Sequence, residues 1–475
     1  MCAKSSTSKL GILHYLVDFV YRVKYNRYYL PKEVNMATFE RMSTILPDTA
    51  KVNSKGHLTI GGCDLVELAS DFGTPLYIFD EATLRRSCGD FRSEFGKLYK
   101  DTLVIYAAKA FINRALAKII HEEGLGLDVV SGGELSIARS GEFPMNKVYF
   151  HGNNKLREEI ELAIDCHIGR IVVDNLYELS LVNEIARKAR VTQDVLLRLT
   201  PGIDAHTHQY VTTGIIDSKF GFPIASGQAE EAIIKAMSEP NLRLIGLHVH
   251  LGSLIFSIEP YQKAIEIVFK FAAEMKKKHN LLFREFSPGG GFAVQYTQDT
   301  PAPDTAYYAR AIVDAIHSAC KEFKLEPPRL IVEPGRAIVG RAGIAIYRAG
   351  AIKDIPGIRR YVAIDGGMAD NIRPALYGSR YEAIVANKAD KKECERVSIV
   401  GKFCESGDIL VKDEDIPGVV PGDIIAIPVS GAYCLAMASN YNASLKPAIV
   451  MVKNCKSRLI RRRESYEDLM RFDSV

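Results

Sequence analysis

Between residues 75 and 340, short apolar runs alternate with longer stretches whose apolar residues recur every three or four positions. The short runs fall at 103–107, 127–130, 147–150, 170–173, 195–199, 244–250, 284–287 and 330–332. Amphipathic stretches at 114–123, 134–139, 156–165, 177–189, 229–237, 261–279 and 306–323 lie between and beside them. A short, continuously apolar run suits a strand covered on both faces by helices. Eight such strands over about 250 residues predict a closed (β/α)8 barrel of the TIM type. The rival, an open doubly wound sheet, usually has fewer strands and a glycine-rich phosphate loop after its first. Here the first run ends in a lysine, Lys109.

Past residue 340 the rhythm changes. Runs at 344–352, 360–364, 396–401, 424–429 and 448–452 are separated by Gly, Pro and Asp turns with little helix between them, which predicts a β domain. Runs at 58–60 and 76–79 have the same character, so that domain is expected to borrow strands from before the barrel. The expected organisation is a leader at 1–45, strands contributing to the β domain at 46–80, the barrel at 81–340 and the C-terminal β domain at 341–475. The leader scatters lysines and arginines around an apolar stretch with no small-residue cleavage site after it. Met36 and Met42 follow, so the leader reads as disordered or as a misassigned start.

Composition narrows the class. A hydrophobic content of 47% and a net charge of +4 spread over many elements argue against nucleic-acid binding. The cluster Arg458, Arg461, Arg462 and Arg463, followed by Glu464, Glu467 and Asp468, reads as a solvated helix face. Nine cysteines without a C-x-x-C pair point to reduced thiols in the cytoplasm, and away from disulfides or structural zinc. No run approaches the roughly 18 apolar residues that cross a membrane.

Chemistry collects at the C-terminal ends of the predicted barrel strands, where such barrels carry their sites. Burial lowers a lysine's pKa, and a neutral Lys109 amine could form a Schiff base. The next three strands end in Asp128 with Ser131-Gly132-Gly133-Glu134, in His151-Gly152-Asn153-Asn154, and in Asp174-Asn175. Strand six offers His248 and His250, which share one strand face. A metal pair needs a third ligand at a recognisable spacing, and none is present, so no metal is expected. An imidazole at a strand end also suits stacking on an aromatic cofactor. Strand seven ends in Pro288-Gly289-Gly290-Gly291-Phe292, whose amides can approach a phosphate. Strand eight ends in Glu333-Pro334-Gly335-Arg336, and a buried carboxylate there needs a partner such as a pyridinium nitrogen. Lysine, histidine, glycine loop and glutamate together specify pyridoxal 5'-phosphate, PLP.

These motifs resemble the PLP enzymes with an alanine-racemase-type barrel, and among them the diaminopimelate decarboxylase family. The likeness runs from about residue 50 to 451 and includes Asn371-Ile372-Arg373-Pro374, Tyr377, Cys404-Glu405-Ser406-Gly407-Asp408 and Tyr433. The resemblance implies that Lys109 carries PLP, His250 stacks on its ring, and Glu333 binds the ring nitrogen. It places Gly252, Ser253, Gly291 and Tyr433 at the phosphate end, with Gly335 and Arg336 also against the cofactor. Arg336, Arg373 and Tyr377 would hold the substrate's distal carboxylate, with Tyr433 also against the substrate. Cys404 as proton donor and Glu405 as partner of the distal amine would come from the second subunit of a homodimer with shared active sites. Leu254 follows Ser253 where the family often has glutamine.

Charge bears on the substrate. A decarboxylase for a simple diamine precursor needs an acid at the far end, whereas Arg336 and Arg373 suit a second carboxylate. meso-2,6-Diaminopimelate has both a second carboxylate and a second amine, and would yield L-lysine and CO2. Ornithine- or arginine-type decarboxylation, racemisation, and an inactive regulatory homologue stand as alternatives. For a racemase the resemblance implies arginine where this chain has Glu333, and an inactive homologue should have lost Lys109, Cys404 or the glycines.

Overall fold

The computed structural model describes residues 36–204, 214–215 and 217–474. The leader reading for residues 1–35 lies outside the described residues. Residues 36–45, counted with the leader above, instead carry the helix Thr38–Met42 and bury Met42 and Ile45.

Eight parallel strands close into a barrel: Thr102–Ala107, Gly126–Val129, Val148–Phe150, Arg170–Val173, Gln193–Thr200, Leu242–His248, Glu285–Ser287 and Arg329–Val332. Closure comes where the eighth strand pairs with the first, Leu330 opposite Thr102 and Val332 opposite Val104. Helices cover the outside, and several start where the sequence supplies a cap. Asn113, Ser131, Asn175 and Asp304 each accept an amide N–H of the following turn. The helix Glu81–Leu98 precedes the first strand and packs against Thr305–Phe323, completing the outer layer. Inside, Ile105, Tyr149, Val172, Leu196, Ile245 and Ile331 fill the barrel with bulky side chains. That plug separates the C-terminal mouth, where the strand-end residues gather, from the opposite end of the barrel.

The β domain is built on the long strand Gly343–Ile355, which pairs antiparallel with Leu76–Asp80, Ile424–Ile427 and Arg359–Ile364. Leu76–Asp80 also pairs with Ala448–Lys453 in parallel, so a strand from before the barrel lies within the sheet. The run Leu58–Ile60 behaves differently from expectation. It forms its own three-stranded sheet with Lys51–Val52 and Cys63–Asp64, and contributes Leu58 and Ile60 to the buried cluster that also holds Ile344 and Ile346. The basic cluster is also not a helix face. Arg458 and Arg461 lie on the strand Lys456–Arg461, Arg463 donates to the Pro75 carbonyl, and only Tyr466–Met470 is helical. Among the described residues, no helix is long and apolar enough to cross a membrane.

Candidate active site

The barrel mouth holds a cavity of about 480 Å³, and Lys109 lines it. The first strand stops at Ala107, and a single turn, Ala108–Ala110, delivers the lysine. Two neighbours fix that turn. The Ala107 amide donates to the Pro334 carbonyl at 3.1 Å, and the Tyr433 amide donates to the Ala110 carbonyl at 2.7 Å. The second contact comes from the β domain, so both domains set the lysine's position.

Glu333 reaches the cavity from the end of the eighth strand. One carboxylate oxygen accepts from Ser287 Oγ at 2.7 Å, and His248 Nε2 stands 3.2 Å from the other. His151 Nε2 is 3.7 Å from Glu333 and 3.7 Å from Asp128. Burial alone would raise the Glu333 pKa, but His248, His151 and the Ser287 hydrogen bond hold it well below the usual carboxylate range. His250 lies just beyond its strand, lines the cavity, and accepts the Gly290 amide on Nδ1 at 3.3 Å. Burial, with Lys109 and Arg198 nearby, keeps its imidazole neutral.

Loop seven crowds this constellation, which explains its glycines. A Cβ on Gly290 would sit 2.1 Å from the Glu333 carbonyl, and Gly291 adopts φ of +101° with the Gly252 carbonyl 2.5 Å from its Cβ position. Gly335 permits a similar approach to Ala107. Arg336 donates to Ser253 Oγ at 3.1 Å and to Tyr296 at 2.6 Å, beneath the Tyr433 ring. Arg373 lies against the rings of Tyr377 and Tyr433. The Nε atoms of Arg336 and Arg373 are buried without hydrogen-bond partners.

Lys109 departs from the sequence expectation. Burial depresses its pKa, but the carboxylates of Asp128 and Glu333 outweigh that effect, so the pKa is raised and the free side chain is an ammonium. Burial also pushes Asp128 up. Among the described lining residues, Lys109, Arg198, Arg336 and Arg373 are cationic and Glu333 alone is a carboxylate. The cavity is therefore suited to anions.

Of the expected site residues, Lys109, His250, Ser253, Gly291, Glu333, Gly335, Arg336, Arg373, Tyr377 and Tyr433 line this cavity, with Gly252 beside Gly291. Cys404 and Glu405 do not. They lie on an exposed turn held by Asp408, and Cys404 lines a separate depression with Asp365, Lys402 and Asn442. His248 and His250 part company, since His248 turns to Glu333. His151, His248 and Glu333 instead bring donor atoms within 4.8 Å of one another. Sequence reasoning missed Arg198, although an arginine inside the apolar run Leu196-Leu197-Arg198-Leu199 was a visible signal of a buried charge with a task.

The cavity fits a cofactor with a phosphate at one end, a flat ring and a carbonyl that reacts with lysine. The glycine approaches, the excess of cations and the unpartnered arginine nitrogens each support that fit. A family model described as the pyridoxal binding domain of pyridoxal-dependent decarboxylases matches residues 81–340. The fold and site thus define a pyridoxal-dependent decarboxylase of the barrel class. The chain is 44% identical to the diaminopimelate decarboxylase of Bacillus subtilis over 428 residues, covering 90% of this chain and 98% of that one. It is 36% identical to the solved diaminopimelate decarboxylase of M. jannaschii in complex with L-lysine, with a TM-score of 0.85, covering 90% and 98% of the two chains. The corresponding Helicobacter pylori structure with L-lysine is 31% identical, with a TM-score of 0.79, covering 86% and 98%. The chain belongs to the diaminopimelate decarboxylase family.

Proposed function

We propose that this chain decarboxylates meso-2,6-diaminopimelate to L-lysine and CO2 with PLP as cofactor, acting as a homodimer in the cytoplasm. Lys109 would carry the cofactor, Glu333 would hold its ring nitrogen, His250 would cover a ring face, and Gly252, Ser253, Gly291, Gly335, Arg336 and Tyr433 would receive its phosphate end. When bound, PLP supplies the electron sink that accepts the bonding pair as the carboxylate leaves. In the overall reaction the bond from Cα to its carboxylate breaks, CO2 departs, and a proton takes the vacated position.

The remaining work falls to the protein. Arg373, with Tyr377 packed on its guanidinium and Arg336 beside it, would grip the distal carboxylate and orient the scissile bond. Glu405 would bind the distal amine, and Cys404 would deliver the proton. Their exposure outside their own chain's cavity supports supply from a second subunit, where a two-fold dimer would place each turn at the partner's barrel mouth. The eight described cysteines are free, which supports a reducing compartment.

The observation that carries this reading is the Lys109 cavity itself, with Glu333 fixed opposite the amine and two arginines along its wall. The test is CO2 release by purified protein supplied with PLP, with meso-diaminopimelate, L-ornithine and L-arginine compared. Turnover confined to meso-diaminopimelate is expected. Turnover of a basic amino acid instead would overturn the substrate assignment, and no CO2 from any of the three would overturn the activity.

A further inference from the structure

Glu333 stands in a cavity that pulls it the wrong way. The Lys109 ammonium attracts it, and if the two paired, each would be lost to its own task. The structure contains a tether. His248 is fully buried on the sixth strand and directs Nε2 at the Glu333 carboxylate from 3.2 Å, while its Nδ1 has no hydrogen-bond partner. A carboxylate offers only acceptors, so His248 must present N–H on Nε2. Burying the other ring nitrogen unpartnered is unfavourable. The histidine is therefore explained by what its Nε2 does. His151 meets its ring edge-on, with centroids 4.9 Å apart at 68°, and has Glu333 and Asp128 each 3.7 Å from Nε2. That contact packs His151 against the His248 ring.

We propose that His248, packed against His151, is a positioning residue that orients the Glu333 carboxylate in register for the ring nitrogen of the cofactor. This rests on the reading of Glu333 given above. A partner that orients a ligating group commonly changes affinity about 10- to 100-fold when removed, and a loss of that size in PLP affinity is expected for His248→Met and for the smaller, polar His248→Asn. His248→Gln places an N–H close to the original Nε2 and should recover most of the loss. The experiment titrates cofactor-stripped protein with PLP and follows the visible absorption band, with thermal melts of the stripped proteins as a folding control. The band should weaken or shift in the Met and Asn variants and return in Gln. Wild-type affinity and an unchanged band in a folded Met or Asn variant would overturn the proposal, as would failure of Gln to recover either. If chelation alone lowered wild-type affinity to the variant level, the three groups would be a metal site and the tether would be wrong. Failure of the wild type itself to take up PLP would overturn the cofactor reading first, and this inference with it.

Discussion

Gly290→Ala places a methyl group 2.1 Å from the Glu333 carbonyl oxygen, where ordinary contact begins at 3.4 Å. The shortfall is about 1.3 Å, and both sides are backbone, so no flexible side chain can absorb it. The Glu333 amide also donates to the Gly289 carbonyl at 3.2 Å, so loop seven and the end of strand eight must move together or part. Overpacking of this kind costs about 1–3 kcal/mol of stability. The functional effect should be the larger one. Gly290 donates its N–H to His250, and Glu333 is the residue displaced, so both groups proposed to meet the cofactor ring would shift by about 1 Å, a misplacement that commonly lowers rate about 100-fold. The assay pairs PLP titration with kcat/KM for CO2 release, and Gly89→Ala serves as control because it is helical with nothing within 4 Å of its Cβ position. The control should stabilise the helix by about 0.5–1 kcal/mol. Gly290→Ala protein with wild-type cofactor affinity and turnover would refute the crowding argument.

Lys109→Ala should remove the visible band and turnover, whereas Cys404→Ala should keep the band and slow turnover. Mixing the two on a two-fold dimer should restore up to about a quarter of wild-type activity, and heterodimers that form without recovery would place the whole site in one chain. Glu285→Ala removes the carboxylate that accepts from Arg170 at 2.7 Å and Tyr149 at 3.0 Å beside the barrel plug; because Arg170 keeps Asp194 at 3.1 Å, the loss should be about 2–3 kcal/mol in a denaturant titration, and less than 1 kcal/mol would count against it. Asp370 is pushed up to about 6 by burial, so the folded chain keeps this proton to higher pH than the unfolded chain does. Its contribution is full below about pH 4 and is lost as pH rises to about 6. Asp370→Asn should flatten that part of the melting-temperature profile, and an unchanged slope would reject the assignment.

The barrel was legible because each strand is a short apolar run and most helices open on a polar cap, two periods that do not mimic one another. The β domain was harder to read. Leu76–Asp80 is buried along its whole length and pairs with strands far away in sequence, and no local pattern states which sheet receives it. The same limit misplaced Leu58–Ile60, whose alternation fits either pairing or packing. Within the site, groups at strand ends could be found one at a time, but their mutual distances could not. Hence the lysine was expected to be neutral from burial alone. The carboxylates that reverse this, Asp128 and Glu333, lie 19 and 224 positions along the chain from it. His248 and His250 looked equivalent from their spacing, yet the strand ends between them and sends one to Glu333 and the other to the cavity.

The two arginines assigned together from the sequence are placed in different surroundings. Arg336 gives one N–H to Ser253 and another to Tyr296, and so is anchored on the side of the glycine loops. Arg373 is held by a longer 3.4 Å contact to Ser379, by a hydrogen bond with Tyr381 and by the rings of Tyr377 and Tyr433. Ring faces restrain a guanidinium without occupying its N–H groups, and the buried Nε of Arg373 has no partner, which leaves donors for a carboxylate. Arg336 already spends two donors inside the protein. In the roles proposed above, Arg336 of the barrel would serve mainly the phosphate end and Arg373 of the β domain the distal end. On that reading, choosing a substrate with two carboxylates would draw on both domains, as the hold on Lys109 already does through the Tyr433 amide and the Ala110 carbonyl.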